Sequence, residues 1–309
     1  MPSGAAARSS GTFLLAMGEY VTHPGAWRLV GTGGPGPFVT SATYGTADGR
    51  QVRWNSREHR KSAHGPRGGE SVWWRPRSSQ WWMAVLFAVG STCFLVGGLV
   101  AQWARVARPE LGVVFFVGSI FFTSASYMQY AEAVNAQRKL ADPNERIRWR
   151  PASWEPRRID WLATLVQFIG TLFFNVTTFT GMKHGFDTHQ VNARVWAPDA
   201  AGSLAFLISS ELAYAEVCHR WVCLRNRTLS WWIVALNMLG SIAFGFSAVA
   251  SYVEPASGEA LSAHLANGGT ALGGLCFLLG SLLLMPEAAR AVASQQRSTV
   301  ATAAGTPAA

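Results

Sequence analysis

WWMAVLFAVGSTCFLVGGLVAQW, residues 81–103, holds no charged side chain over 23 positions. As a helix rising 1.5 Å per residue, that run is long enough to cross about 30 Å of hydrocarbon. Five further apolar runs follow, at 111–134, 159–182, 196–217, 231–253 and 261–285. None alternates in the manner of a barrel strand, and lipid tolerates no unpaired backbone, so the runs read as helices. The expected fold is all-α: a polytopic membrane protein whose six transmembrane helices form three tandem hairpins, about 73–139, 153–219 and 229–290.

Composition agrees, since 14% charged residues is well below the roughly 25% of a soluble domain. Residues 1–72 are rich in Gly, Pro, Ser and Arg and are expected to form a largely disordered cytoplasmic leader ahead of a membrane domain at 73–290; 291–309 is expected to be a disordered cytoplasmic tail. The glycine run at 31–37 reads as a loop, because it lacks the Gly-Lys-Ser/Thr ending of a phosphate-binding loop. Short strands around 38–54 are conceivable but do not add up to a domain. No Pro interrupts the core of an apolar run.

Orientation follows from the basic residues. Ten Lys/Arg precede the first run, seven lie in 135–158, three in 218–230 and two after 285, whereas the intervening loops hold two, two and none. That asymmetry places both termini in the cytoplasm and the chain in the plasma (inner) membrane as a multi-pass protein. Trp73, Trp74, Trp81, Trp82, Trp149, Trp154, Trp161, Trp221, Trp231 and Trp232 cluster at the same interface, the level an amphipathic indole prefers. The net charge of +9 flanks apolar runs and carries no base-reading motif, so nucleic acid is not an expected partner. The lipid bilayer is; a second copy or another membrane protein is the other candidate.

Each run carries Gly followed by Ser or Thr: Gly90-Ser91, Gly118-Ser119, Gly170-Thr171, Gly202-Ser203, Gly240-Ser241 and Gly280-Ser281. In the odd runs Trp81, Trp161 and Trp231 stand nine residues before Gly, and Phe94, Phe174 and Phe244 four after it; the even runs give Phe122, Phe206 and Leu284 at that offset. Small residues at mid-depth let helices approach where lipid supplies no hydrophobic drive between them, so these pairs are expected to be packing seams. Tyr130-Ala131-Glu132 recurs as Tyr214-Ala215-Glu216, and Met285-Pro286-Glu287 replaces it in the third hairpin.

The pattern Trp-Trp-x3-Leu-x3-Gly-Ser-x2-Phe at Trp81–Phe94 and again at Trp231–Phe244, with Val114–Ser119 and its copy Cys276–Ser281, resembles the YrhK-like family of small bacterial membrane domains. The likeness covers the first and last hairpins better than the middle one and none of residues 1–70. It implies a helical-hairpin membrane domain of unassigned activity, with no catalytic residues to carry over.

Ionisable side chains within lipid are costly and mark functional sites. Glu211 is the candidate intramembrane ion or proton site; the alternative is a protonated carboxyl bonded to Asn175, Gln167 or Asn237. Glu132 and Glu216 are expected at the inner interface, paired with Arg138, Arg220 or Arg225. His184, Asp187 and His189, and Cys218-His219-x3-Cys223, are too sparse for a zinc centre, whose closed form needs four ligands. The four cysteines, Cys93, Cys218, Cys223 and Cys276, read as buried or reduced thiols. No enzyme or cofactor motif is present. The expected function is a non-enzymatic structural or interaction component of the membrane, with a small-solute or ion transporter working through Glu211 as the alternative.

Overall fold

The computed structural model describes residues 28–45, 49, 51–62, 72–103, 109–136, 149–224 and 227–304. Strands β1 (Arg28–Gly33), β2 (Ser41–Gly45) and β3 (Gln51–Asn55) precede helices α1 (Ser56–Ser62), α2 (Ser79–Trp103), α3 (Pro109–Val134), α4 (Ile159–Gly181), α5 (Thr188–Val191), α6 (Ala197–Cys218), α7 (Leu229–Ala250) and α8 (Ala263–Ala304). A π-helical turn, Asn192–Trp196, joins α5 to α6. The described chain is mostly helical, and five helices are long and apolar enough to cross a membrane: Ser79–Trp103, Glu110–Val134, Ile159–Gly181, Leu229–Ala250 and Ala263–Arg290. The sixth long helix, α6, spans 22 residues but carries Asp199, Glu211 and Glu216, which lower its apolar content.

The six long helices stand in a closed ring, α2, α3, α4, α6, α7, α8 and back to α2. Its axis is filled by phenylalanine. Phe94, Phe174 and Phe244, one from each odd helix of the ring, have ring centroids 5.8–6.4 Å apart, and Phe122, Phe206 and Phe277, one from each even helix, 5.6–6.2 Å. These two triangles touch through edge-to-face pairs such as Phe174–Phe206 at 5.0 Å, the arrangement the ring quadrupole favours. All six side chains are buried.

Glycine makes that closeness available, in a register that differs from the sequence expectation for the last helix. A Cβ on Gly118 would meet Gly90 O at 3.3 Å, one on Gly202 would meet Gly170 O at 3.1 Å, and one on Gly273 would meet Gly240 O at 3.1 Å. The third counterpart is therefore Gly273, not Gly280, whose nearest neighbour is the Asn237 side chain. The Phe four residues on is then Phe277, not Leu284, and Glu287 stands 14 residues after Gly273 as Glu132 and Glu216 stand after Gly118 and Gly202. Gly274 takes the place of the hydroxyl residue and abuts α2, where an added Cβ would lie 2.6 Å from Leu95 N. The other seam hydroxyls are buried and satisfied: Ser91 donates to Phe87 O, Ser119 to Phe116 O, Thr171 to Phe168 O and Ser203 to Phe244 O, while Ser241 pairs with Ser210; Ser281, out of register, donates to Leu278 O.

Three other expectations are corrected. The leader contains a folded part, because β2 alternates inward-facing Ala42 and Tyr44 against Leu29, Val39 and Trp54, enough to close a small three-stranded antiparallel sheet in the order β1-β2-β3. The tail expected to be disordered is helical as far as Ala304 and α8 runs through Pro286, its alanine-rich sequence offsetting the lost backbone donor. Cys218 and Cys223 are joined as a disulfide, while Cys93 and Cys276 are free; the turn after α6 brings their Cα atoms to 5.7 Å. Residues 1–27, 46–48, 50, 63–71 and 305–309 of the expected leader and tail lie outside the described residues.

Candidate functional site

The odd helices begin alike, with Ser79-Gln80-Trp81, Ile159-Asp160-Trp161 and Leu229-Ser230-Trp231. Each Trp indole donates to the carbonyl eight residues earlier: Trp81 to Trp73 O at 2.8 Å, Trp161 to Ser153 O at 3.1 Å and Trp231 to Cys223 O at 3.0 Å. The tyrosine of the preceding even helix donates to the same carbonyl, Tyr130 to Ser153 O and Tyr214 to Cys223 O, which ties consecutive helix pairs together; Met285 holds that place in the third. Trp81 and Trp161 are thus buried structural groups, whereas Trp73, Trp74, Trp82, Trp149, Trp154, Trp221 and Trp232 are exposed.

Those starts and the three glutamates bring four carboxylates to one end of the ring. Glu132, Asp160, Glu216 and Glu287 are each no more than 9% exposed. Their partners come from α1, which sequence reasoning assigned to a disordered leader. Arg57 forks onto Glu287, Nε to Oε1 at 2.7 Å and Nη2 to Oε2 at 3.1 Å. Arg60 forks onto Glu216 at 3.2 Å through both Nη atoms, and its Nη1 lies 2.9 Å from Asp160 Oδ2. Lys61 Nζ is 3.1 Å from Glu132 Oε1, and Ser56 donates to Glu216 at 2.7 Å. Arg158 flanks the set, 2.6 Å from Asp160 and 2.7 Å from Glu155. Burial opposes charge on Arg60, but Glu216, Asp160 and Glu132 outweigh it and hold the guanidinium protonated well above its ordinary value; burial is likewise outweighed for Arg158, by Asp160 and Glu155.

A sequence signal for this existed. Arg57, Arg60 and Lys61 are spaced i, i+3, i+4, one face of a helix, and Asn55 caps it by accepting the Glu58 N–H at 3.2 Å. Glu132 and Glu216 are therefore paired with α1 and not with the basic residues expected. Arg220 is exposed, and Arg138 and Arg225 lie outside the described residues.

Behind α1 lies an axial cavity of about 40 Å³, room for a few waters. Gln129, Gln167, Ser209, Ser210 and Asn237 line it, Phe206 and Phe277 floor it, and Arg57 and Lys61 close it. Glu211 is not in its lining and is half-buried on α6. Of its suggested partners, Asn175 accepts a hydrogen bond from Thr123 instead, while Gln167 and Asn237 face the cavity. Asp187 is used as the cap of α5, accepting the Gln190 N–H at 2.8 Å, and the described residues contain no group of three His, Cys, Asp or Glu side chains able to hold a metal.

His219 fastens the sheet to the ring. It sits at φ 55° after α6, with Nδ1 2.7 Å from Thr40 Oγ1 and Nε2 3.2 Å from Asn55 Nδ2, and Phe38 packs beside Ile159, Ala163, Leu212 and Ala215. An amide donor opposite Nε2 requires the neutral ring protonated at Nδ1. Burial, then the charge of Arg53, lower the His219 pKa against the opposing pull of Glu216. The unfolded chain therefore binds more protons than the docked one, so docking is at full strength above the unfolded value of about 6.5 and weakens as pH falls below it. The protection factors of the β2 and β3 amides in detergent, each rate divided into the intrinsic exchange rate at its own pH, are expected to be lower at pH 5.5 than at pH 7.5 in the native protein, and low at both in His219→Ala. Equal protection factors of the native protein at the two pH values would refute the linkage.

Compared with models of known families, with curated proteins and with solved structures, the chain matches none.

Proposed function

We propose that the protein is a non-enzymatic integral component of the bacterial plasma membrane, built from three tandem two-helix hairpins that together form six spans, with both termini cytoplasmic. Its working part is the inner cup that receives a basic helix of its own leader. One observation carries this reading: all three hairpins supply a glutamate at the same repeat position, and all three glutamates are engaged by one seven-residue helix. A repeat kept only for packing has no need of buried carboxylates, whose desolvation works against stability. In this reading α6 spans as the other five do, its Glu216 lying in the cup and its Glu211 half-covered beside neighbouring helices. The likeness to YrhK-like domains belongs to the same proposal, as one two-helix unit used three times.

Membrane-impermeant maleimide on intact cells tests the topology. His184→Cys and Ser257→Cys are expected to label only from outside, Trp149→Cys and Leu224→Cys only from the cytoplasm; residues 184 and 224 on the same side would remove α6 from the membrane. The transport alternative predicts flux. The two phenylalanine triangles favour its absence: proteoliposomes are expected to pass protons and potassium no faster than empty vesicles, and flux that Glu211→Gln abolishes would replace this reading with transport.

A further inference from the structure

Three features of the cup do not fit a helix that is a permanent part of the core. The helix is short, and its inward face toward the ring is formed by Arg57, Arg60 and Lys61, joined by Ser56, so charge and not apolar area holds it. It fills the cup unevenly. Gln80 Oε1, on a buried side chain from the first helix pair, accepts no hydrogen bond from the protein, and on the third pair's side an open groove of about 290 Å³, bordered by Glu58, Thr228, Ser230 and Arg290, runs beside the Arg57–Glu287 pair. Lastly, α1 is what separates the axial cavity from the inner end of the ring, since Arg57 and Lys61 are part of its wall.

We propose that α1 is an exchangeable plug, a resident basic segment in a chamber selective for guanidinium and ammonium groups, and that its departure opens the polar axial cavity to the cytoplasm. With α1 out, Glu132, Asp160, Glu216 and Glu287 form a rim of buried carboxylates, with Arg158 the cation left beside Asp160 among the described residues. Such a rim focuses a negative potential on the cavity mouth, concentrating cations and excluding anions. The amide and hydroxyl side chains behind it can hydrogen-bond a bound cation's water or its N–H groups, and the phenylalanine layer stops it there. Arg57 fits the same description: a planar fork on a carboxylate.

The inference rests on the cup reading above, and it is tested in detergent so that sidedness does not enter. Ala213, in the cavity wall, is changed to Cys in a chain with Cys93→Ala and Cys276→Ala, and its modification by a cationic and an anionic methanethiosulfonate reagent is timed. In Arg57→Gln/Arg60→Gln/Lys61→Gln the cationic reagent is expected to react at least about tenfold faster than with the plug intact, and to outpace the anionic one. A synthetic peptide of residues 51–62 is expected to restore protection, and the same peptide with Gln at 57, 60 and 61 is not. Unchanged rates in a variant of native helix content, or equal rates for the two reagents, would overturn the proposal. Should the triple variant not fold, Arg57→Gln, which leaves Arg60 and Lys61 seated, is read by the same comparison. A failed contrast in detergent leaves the six-span reading standing, and a failed sidedness test leaves the plug standing.

Discussion

Arg60→Met is expected to destabilise the protein by about 3–5 kcal/mol, the range for removing one partner of a buried ion pair. The magnitude follows from what is left behind. Among the described residues, Arg60 is the one side chain in contact with acids from three ring helices, α3, α4 and α6, through Glu132, Asp160 and Glu216. Without it Glu216 retains the Ser56 hydroxyl as a donor, and Asp160 retains Arg158, but neither replaces the lost charge. Thermal unfolding in detergent measures the loss. In Arg60→Met/Glu216→Leu the midpoint is expected to recover part of the way to that of the native protein, because an apolar pair of similar volume costs less than an orphaned carboxylate. If the single variant melts with the native protein, the fork from Arg60 to Glu216 contributes nothing and the cup is not held by charge.

The common spacing of Trp, Gly and Phe was legible in the sequence because it falls on residue types that closely packed helices leave little room to vary. Trp81, Trp161 and Trp231, Gly90, Gly170 and Gly240, and Phe94, Phe174 and Phe244 keep one spacing, and the structure gives each set one job: carbonyl staple, close approach, axial plug. What the spacing did not reveal was convergence. Glu132 and Glu216 read as interfacial carboxylates awaiting a nearby arginine, since nothing in a linear repeat says that its copies face a common axis. The partner was missed for a compositional reason: α1 lies in a stretch judged by its Gly, Pro and Ser content, where seven helical residues are too few to register as a period. Asn55 as cap and three cations on one helical face were the available signal. Glu211 was singled out by depth alone, and depth does not tell a face toward the cavity from one away from it.

The register of the last helix gives the sharpest genetic test of the ring. Gly280-Ser281 matched the repeated dipeptide but lies seven residues beyond Gly273-Gly274, and seven residues are close to two turns, so both glycines share a face about 10 Å apart. A match on face alone cannot separate them; the distance to Glu287 can. Gly273→Leu is expected to destabilise strongly, because even its Cβ would lie 2.3 Å from the Phe244 ring and 3.1 Å from Gly240 O, where a ring already locked between Phe174 and Phe277 has no room to turn. Gly274→Leu is expected to act alike, its Cβ falling 2.6 Å from the backbone of α2 at Leu95, where only a helix shift gives relief. Overpacking by a single methyl group costs about 1–3 kcal/mol, which is what Gly273→Ala is expected to show. Gly280→Ala meets one close neighbour, the Asn237 amide oxygen at 2.7 Å, with Ile233 O at an ordinary 3.7 Å; that oxygen ends a side chain that can turn into the axial cavity, and the variant is expected to lie near the native midpoint. Midpoints ranked the other way, with Gly280→Ala below Gly273→Ala, would mean that the repeated dipeptide and not the Gly-to-Glu spacing sets the packing of α8.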